Sequence, residues 1–124
     1  MTAFRSLHWR SADGLTLHAR DYPGKADLAP VVCIHGLTRN ARDFEDLAPA
    51  LVGATGRRVI AVDVRGRGGS QRAPDPLTYN PAVYAADVMA LLDDQAIGRA
   101  AFIGTSMGGL IMMTLAAMRP GAIA

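Results

Sequence analysis

The sequence predicts an α/β fold built on a mostly parallel sheet, on three observations. From Val31 onward, short apolar runs alternate with segments whose apolar residues recur at helical spacing, in the order strand, helix, strand, helix, strand, helix. The runs Val31-Val32-Cys33-Ile34, Val59-Ile60-Ala61-Val62 and Ala100-Ala101-Phe102-Ile103 show no polar alternation, as parallel strands covered on both faces do not. Each run opens into a loop where Gly accompanies His, Asp or Ser: His35-Gly36, residues 63–70 and residues 104–108. Sheets of this class bind ligands beyond the carboxyl ends of their strands, so three distant segments are expected to meet on one face.

Ahead of these units, residues 6–10 alternate with Leu7 and Trp9 on one face, and Leu15, Leu17 and Ala19 alternate with Thr16, His18 and Arg20. Asp13-Gly14 between the two runs signals a hairpin, expected to add antiparallel edge strands. His8 and His18 fall on its polar faces and are expected as solvated strand residues, not catalytic bases. Pro23, Gly24 and Pro30 punctuate a surface loop.

After the first buried run, Asn40 is placed to cap a helix with Phe44, Leu47 and Leu51 on one face. Pro49 inside that segment predicts a kink or a restart. The second buried run leads into the Gly-rich loop of residues 63–70. The spacing G-x-G-x-x-G is absent and no helical pattern opens directly behind it, so a dinucleotide site is not indicated. Arg65, Arg67 and Arg72 are expected as solvated loop charges. Asn80-Pro81 starts the next helix, Asn as cap and Pro at its first position. Tyr84, Val88, Leu91 and Leu92 form its apolar stripe, Asp87, Asp93 and Asp94 lie off it as surface charges, and Gly98 is expected to close it.

A chain of 124 residues is one domain at most. It is 50% hydrophobic and 19% charged, with 13 basic against 11 acidic side chains, an ordinary globular balance. So even a mixture argues against a nucleic-acid partner and against a membrane surface. The single cysteine, Cys33, sits in an apolar run and reads as a small buried hydrophobe; it supports neither a disulfide framework nor a metal cluster. No cofactor and no metal are expected. Residues 1–10 carry charges without an apolar core, unlike a signal peptide, so a cytoplasmic location is expected.

The stretch with the most chemical content is Gly104-Thr105-Ser106-Met107-Gly108, a G-x-S-x-G between an apolar strand and the apolar helical segment Leu110-Ile111-Met112-Met113. A serine on such a sharp strand-to-helix turn is exposed as a nucleophile, with the free N–H groups of the helix start pointing at the reacting centre. Residues 100–118 carry no charge, and their length approaches that of a membrane span. Gly104, Gly108 and Gly109 and the polar Thr105-Ser106 pair divide the run into a short strand and a short helix instead.

Taken together, His35-Gly36 after the first buried strand, Asp63-x-x-Gly66-x-Gly68-x-Ser70 after the second and Gly104-x-Ser106-x-Gly108-Gly109 after the third resemble the α/β-hydrolase superfamily. The likeness is to its esterase-like and carbon–carbon-bond-hydrolase-like members. A serine at the elbow differs from the aspartate of the dehalogenase and epoxide-hydrolase branches. The absence of a Gly-Gly-Gly run near His35 differs from the hormone-sensitive-lipase-like branch. The resemblance implies a three-layer α/β-hydrolase fold, truncated after the nucleophile helix, with residues 1–124 as the N-terminal part of a single domain. It implies Ser106 as nucleophile and the backbone N–H groups of Leu37 and Met107 as oxyanion hole. His35, Gly36, Gly104 and Gly108 would shape the site, and residues 63–70 would form a structural turn near it. The implied partner is a small carbonyl substrate, and the implied reaction is hydrolysis of an ester or related compound through an acyl-enzyme. Acyl transfer, cofactor-free perhydrolysis and an inactive hydrolase-like fragment are the alternatives. The family's triad runs Ser, then Asp or Glu, then His, but no Asp, Glu or His follows Ser106 here. The strand before Ser106 is then expected as an exposed apolar edge.

Overall fold

In the computed structural model, which describes residues 3–124, the alternating N-terminal runs form strands β1 (Arg5–Arg10) and β2 (Thr16–Tyr22), paired antiparallel with Leu7 opposite Ala19 and Trp9 opposite Leu17. Met1 and Thr2, the first residues of the segment read as unlike a signal peptide, lie outside the described residues. Gly14 turns the hairpin at φ 89°, and Ser11 Oγ accepts from Leu15 N at 2.9 Å. The apolar runs become β3 (Val31–Ile34), β4 (Val59–Asp63) and β5 (Ala101–Gly104). One mixed sheet results, in the order β1-β2-β4-β3-β5, with β3 parallel to both β4 and β5. Only β1 is an edge strand of the hairpin; β2 is interior, antiparallel to β4 with His18 opposite Asp63.

Side-chain alternation along the strands divides the core into two. Val32, Ile34, Ile60 and Val62 pack with Trp9, Leu17 and the stripe Tyr84, Val88, Leu91 and Leu92 of α2 (Pro81–Asp94), and with Ile111 and Leu115 of α3 (Met107–Met118). On the opposite face Val31, Cys33, Val59 and Ala61 pack with Tyr22, Phe44 and Ala48 of α1 (Leu47–Thr55). Helices thus cover both faces, giving the three layers expected. Cys33 is fully buried as expected, and its apolar surroundings push the thiol up to about 12.

Helix boundaries depart from expectation at two places. Asn40 caps a short 3-10 turn, Ala41–Phe44, its side chain accepting from Arg42 N; α1 then restarts at Leu47 and places Pro49 in its first turn, where no intrahelical donor is needed. At the far end of α2, Asn80 and Pro81 start the helix as expected, but Gly98 does not close it. Ala96 takes the left-handed conformation at φ 53°, and Ile97 N closes back onto Leu92 O at 2.8 Å.

Arg65 and Asp87 are not solvated charges. Arg65 is 1% exposed and forks onto Asp87 at 2.8 Å and Asp13 at 2.9 and 3.0 Å, joining the loop after β4 to α2 and to the hairpin turn. Burial pushes the Asp87 carboxyl up, against the pull of Arg65, and the Asp87 hydrogen bond raises Arg65. Arg65, then Ser11, hold Asp13 down at about 2. Trp9 Nε1 donates to Asp87 O at 2.9 Å, a second tie between the hairpin and α2. Asp93 is exposed as expected and pairs with Arg119 at 2.7 Å. Beside β5, Ala100 bridges in parallel to Ile123, while β5 itself pairs only with β3 among the described strands. Among the described residues no helix is long and apolar enough to cross a membrane.

Candidate active site

The elbow between β5 and α3 is built by close backbone approach. Thr105 N donates to Ile34 O at 3.1 Å, seating the turn against the end of β3. Gly108 lies where a Cβ would overlap the Ile34 carbonyl and come within 2.9 Å of His35 O; a Cβ on Gly104 would run into the backbone of Gly108 and Gly109. The two glycines flanking Ser106 are therefore required by space. Ser106 itself adopts φ 54° and ψ −116° and is exposed. A non-glycine residue at positive φ costs about 1–3 kcal/mol and persists only where its surroundings impose it. Here the β3 contact and the hydrogen bonds of Gly109 N and Leu110 N to Ser106 O impose it.

The loop after β3 meets the elbow. A Cβ on Gly36 would lie 3.6 Å from Ser106 Cβ, so the Gly36 backbone borders the serine. His35 is fully buried, its Nδ1 donating to Gly36 O at 2.7 Å and its Nε2 accepting from Val64 N at 3.0 Å. This fixes one neutral tautomer and binds the β3 loop to the β4 loop. Burial is the leading cause that holds its pKa down. Both ring nitrogens of His35 are thereby engaged within the protein. The N–H groups of Leu37 and Met107 are absent from the loop, turn and cap donors among the described residues. Met107 opens α3, so its N–H stands at the positive end of that helix.

The loop of residues 63–70 closes on Asp63. Its carboxylate accepts from Ala41 N at 2.8 Å and Gly69 N at 3.0 Å, while Ser70 Oγ donates to Asp63 O at 2.7 Å. Arg67 is not a solvated charge either. It donates to Leu37 O at 3.1 Å and to Tyr84 OH at 3.2 Å, with its guanidinium carbon 5.3 Å from the Tyr84 ring centre. It thereby ties the β4 loop to the loop beside Ser106, a role that no local pattern signalled. Arg72 is exposed as expected. His18 also departs from expectation: its side chain is 13% exposed and its Nδ1 lies 2.7 Å from Asp63 Oδ2. The cause is the interior position of β2, which sets His18 directly opposite Asp63.

A serine elbow at the carboxyl ends of parallel strands, facing a His-Gly loop and covered by helices on both sides, defines the α/β hydrolase fold. The model of that fold family matches residues 29–124, and the chain belongs to the family. The chain is 37% identical over 114 residues to the sn-1-specific diacylglycerol lipase ABHD11 of Danio rerio, covering 92% of this chain and 35% of that protein. It is 43% identical over 88 residues to the 3-hydroxybutyrate-oligomer hydrolase of Cupriavidus necator, covering 71% of this chain and 29% of that protein. The crystal structure of an α/β hydrolase from Novosphingobium aromaticivorans superposes with a TM-score of 0.92 at 51% identity, covering 100% of this chain and 43% of that one. The chain thus spans about a third of the curated relatives it matches.

Proposed function

We propose that this chain is the N-terminal part of a single hydrolase domain that cleaves an ester or related carbonyl substrate with Ser106 as nucleophile. The observation that carries the reading is the positive φ of Ser106 at the strand-to-helix elbow, with the backbone of Gly36 beside it. Strain stored at an exposed serine marks function more often than packing. Ser106 Oγ attacks the carbonyl carbon and forms an acyl-enzyme. The N–H groups of Leu37 and Met107 take the developing oxyanion, each worth about 3–4 kcal/mol in the transition state. Relatives named as a lipase and an oligomer hydrolase support the ester class. His35 has no free nitrogen, and no Asp, Glu or His follows Ser106 in the sequence. The chain spans about a third of its curated relatives, and the general base and its acid partner are assigned to the part of the domain it does not span.

A fluorophosphonate probe on the complete domain, which carries the proposed base, tests this assignment without requiring turnover. The expected result is a phosphonyl adduct mapped by peptide mass spectrometry to Ser106 and lost in Ser106→Ala. An adduct yield at that peptide unchanged by Ser106→Ala would remove Ser106 from the mechanism.

A further inference from the structure

A serine–histidine–carboxylate relay, separate from Ser106, lies on the α1 face of the sheet. Asp63 Oδ2 is 2.7 Å from His18 Nδ1, and His18 Nε2 is 3.1 Å from Ser6 Oγ. A carboxylate only accepts, so Nδ1 carries the proton toward Asp63, and Nε2 faces the Ser6 hydroxyl. This is the polarity of a nucleophile–base–orienter triad, which is recognised by geometry and roles and not by chain order. The orienter is well held: Asp63 is 5% exposed and accepts from Ala41 N and Gly69 N as well. Ser6, at the outer end, is exposed on β1.

The relay opens into a cleft of about 320 Å³ lined by Phe4, Ser6, His18, Arg20, Asn40 and Arg42, among others, and by neither Ser106 nor residues 35–37. Arg20 is directly opposite Ser6 in the hairpin register. Its guanidinium lies 4.4 Å above the Phe4 ring and 4.0 Å from Glu45, and it donates no hydrogen bond among the described residues. A cation with open donors beside a hydroxyl is suited to an oxygen that gains negative charge.

We propose that Ser6, His18 and Asp63 form a second acylation site, in which Ser6 takes the acyl group of small activated esters while Arg20 polarises the carbonyl. His18 Nε2 takes the Ser6 proton as Oγ bonds to the carbonyl carbon. The carbon–oxygen bond to the leaving group then breaks, and the alcohol or phenol departs with the proton returned from His18. Water attacking the acyl-Ser6 ester by the same route releases the carboxylic acid and restores the hydroxyl. This site is independent of Ser106, so the two assignments stand or fall separately.

The test uses the Ser106→Ala chain and p-nitrophenyl acetate, reading p-nitrophenolate release and mapping the acetyl group by peptide mass spectrometry. The expected acetyl is on Ser6, absent when Ser6→Ala is added, and formed on the order of 100-fold more slowly with His18→Gln. Thr16, an exposed hydroxyl on the same hairpin, is an internal control that needs no second fold: Ser6 should exceed it by a similar factor. No acetyl on Ser6, acetylation no faster than at Thr16, an equal rate with folded His18→Gln, or label only on His8 or Lys25 each overturns the proposal.

Discussion

Gly108 and Gly109 are neighbours in the first turn of α3, yet the same substitution should act on them in opposite directions. At both sites alanine is favoured over glycine by helix propensity, by up to about 1 kcal/mol. At Gly109 the added Cβ meets only Gly104 O, at 3.6 Å, an ordinary contact. Gly109→Ala should therefore be neutral or stabilise by up to about 1 kcal/mol. At Gly108 the added Cβ overlaps the Ile34 carbonyl and approaches His35 O at 2.9 Å. Both are backbone atoms at the end of the buried β3, so no side chain can swing away. Relief requires α3 to move off the sheet, which separates Ile111 and Leu115 from the core. Overpacking of this kind costs about 3 kcal/mol or more, leaving a net loss of at least about 2 kcal/mol after the propensity gain. Urea unfolding of the two variants beside the parent, compared at equal slope, measures both numbers. In the complete domain, fluorophosphonate labelling should fall in Gly108→Ala and persist in Gly109→Ala. A Gly108→Ala chain as stable as the parent, or a loss equal in the two variants, would refute the close approach of elbow and strand.

Arg65→Ala leaves Asp87 buried with its cation removed, so it should cost about 3–5 kcal/mol in urea unfolding. Asp13→Ala should cost less than about 1 kcal/mol, because that carboxylate is 46% exposed and solvent screens it. His35 has a folded pKa below its ordinary 6.5; its contribution is complete above about pH 6.5 and is lost as pH falls toward the folded value. Stability measured against pH should therefore fall across that range, with a shallower slope in His35→Gln. Asp13 is depressed from 3.8 to about 2, so its smaller contribution holds above pH 3.8 and disappears as pH falls through that interval. A second decline there, absent in Asp13→Asn, checks it.

Local chemistry made much of the fold legible. Alternation at Leu7, Trp9, Leu15 and Leu17, the unbroken apolar strands and the Asn80-Pro81 start each leave their pattern within a few consecutive residues. The elbow was legible because its glycines answer to space, and space leaves a spacing in the sequence. Several features escaped, among them Arg67, whose partners Leu37 and Tyr84 lie 30 and 17 residues away. Ala96 takes the left-handed turn that Gly98 offered, since Ile97 must close onto Leu92 before the chain enters β5. Arg65 finds its partners 22 and 52 residues away, at Asp87 and Asp13. His18 reads as polar and outward within its hairpin, and only the pairing of β2 with β4 sets it against Asp63. Such partners depend on strand order and register, which no window of residues contains.

Ser106 and the N–H groups of Leu37 and Met107 are expected to act on one reacting centre. A crystal structure of the complete domain carrying a fluorophosphonate-derived adduct on Ser106 is the decisive test. The phosphorus should be bonded to Ser106 Oγ, with its free oxygen about 2.7–3.1 Å from both Leu37 N and Met107 N. An adduct on Ser106 whose oxygen faces solvent and touches neither nitrogen would contradict it.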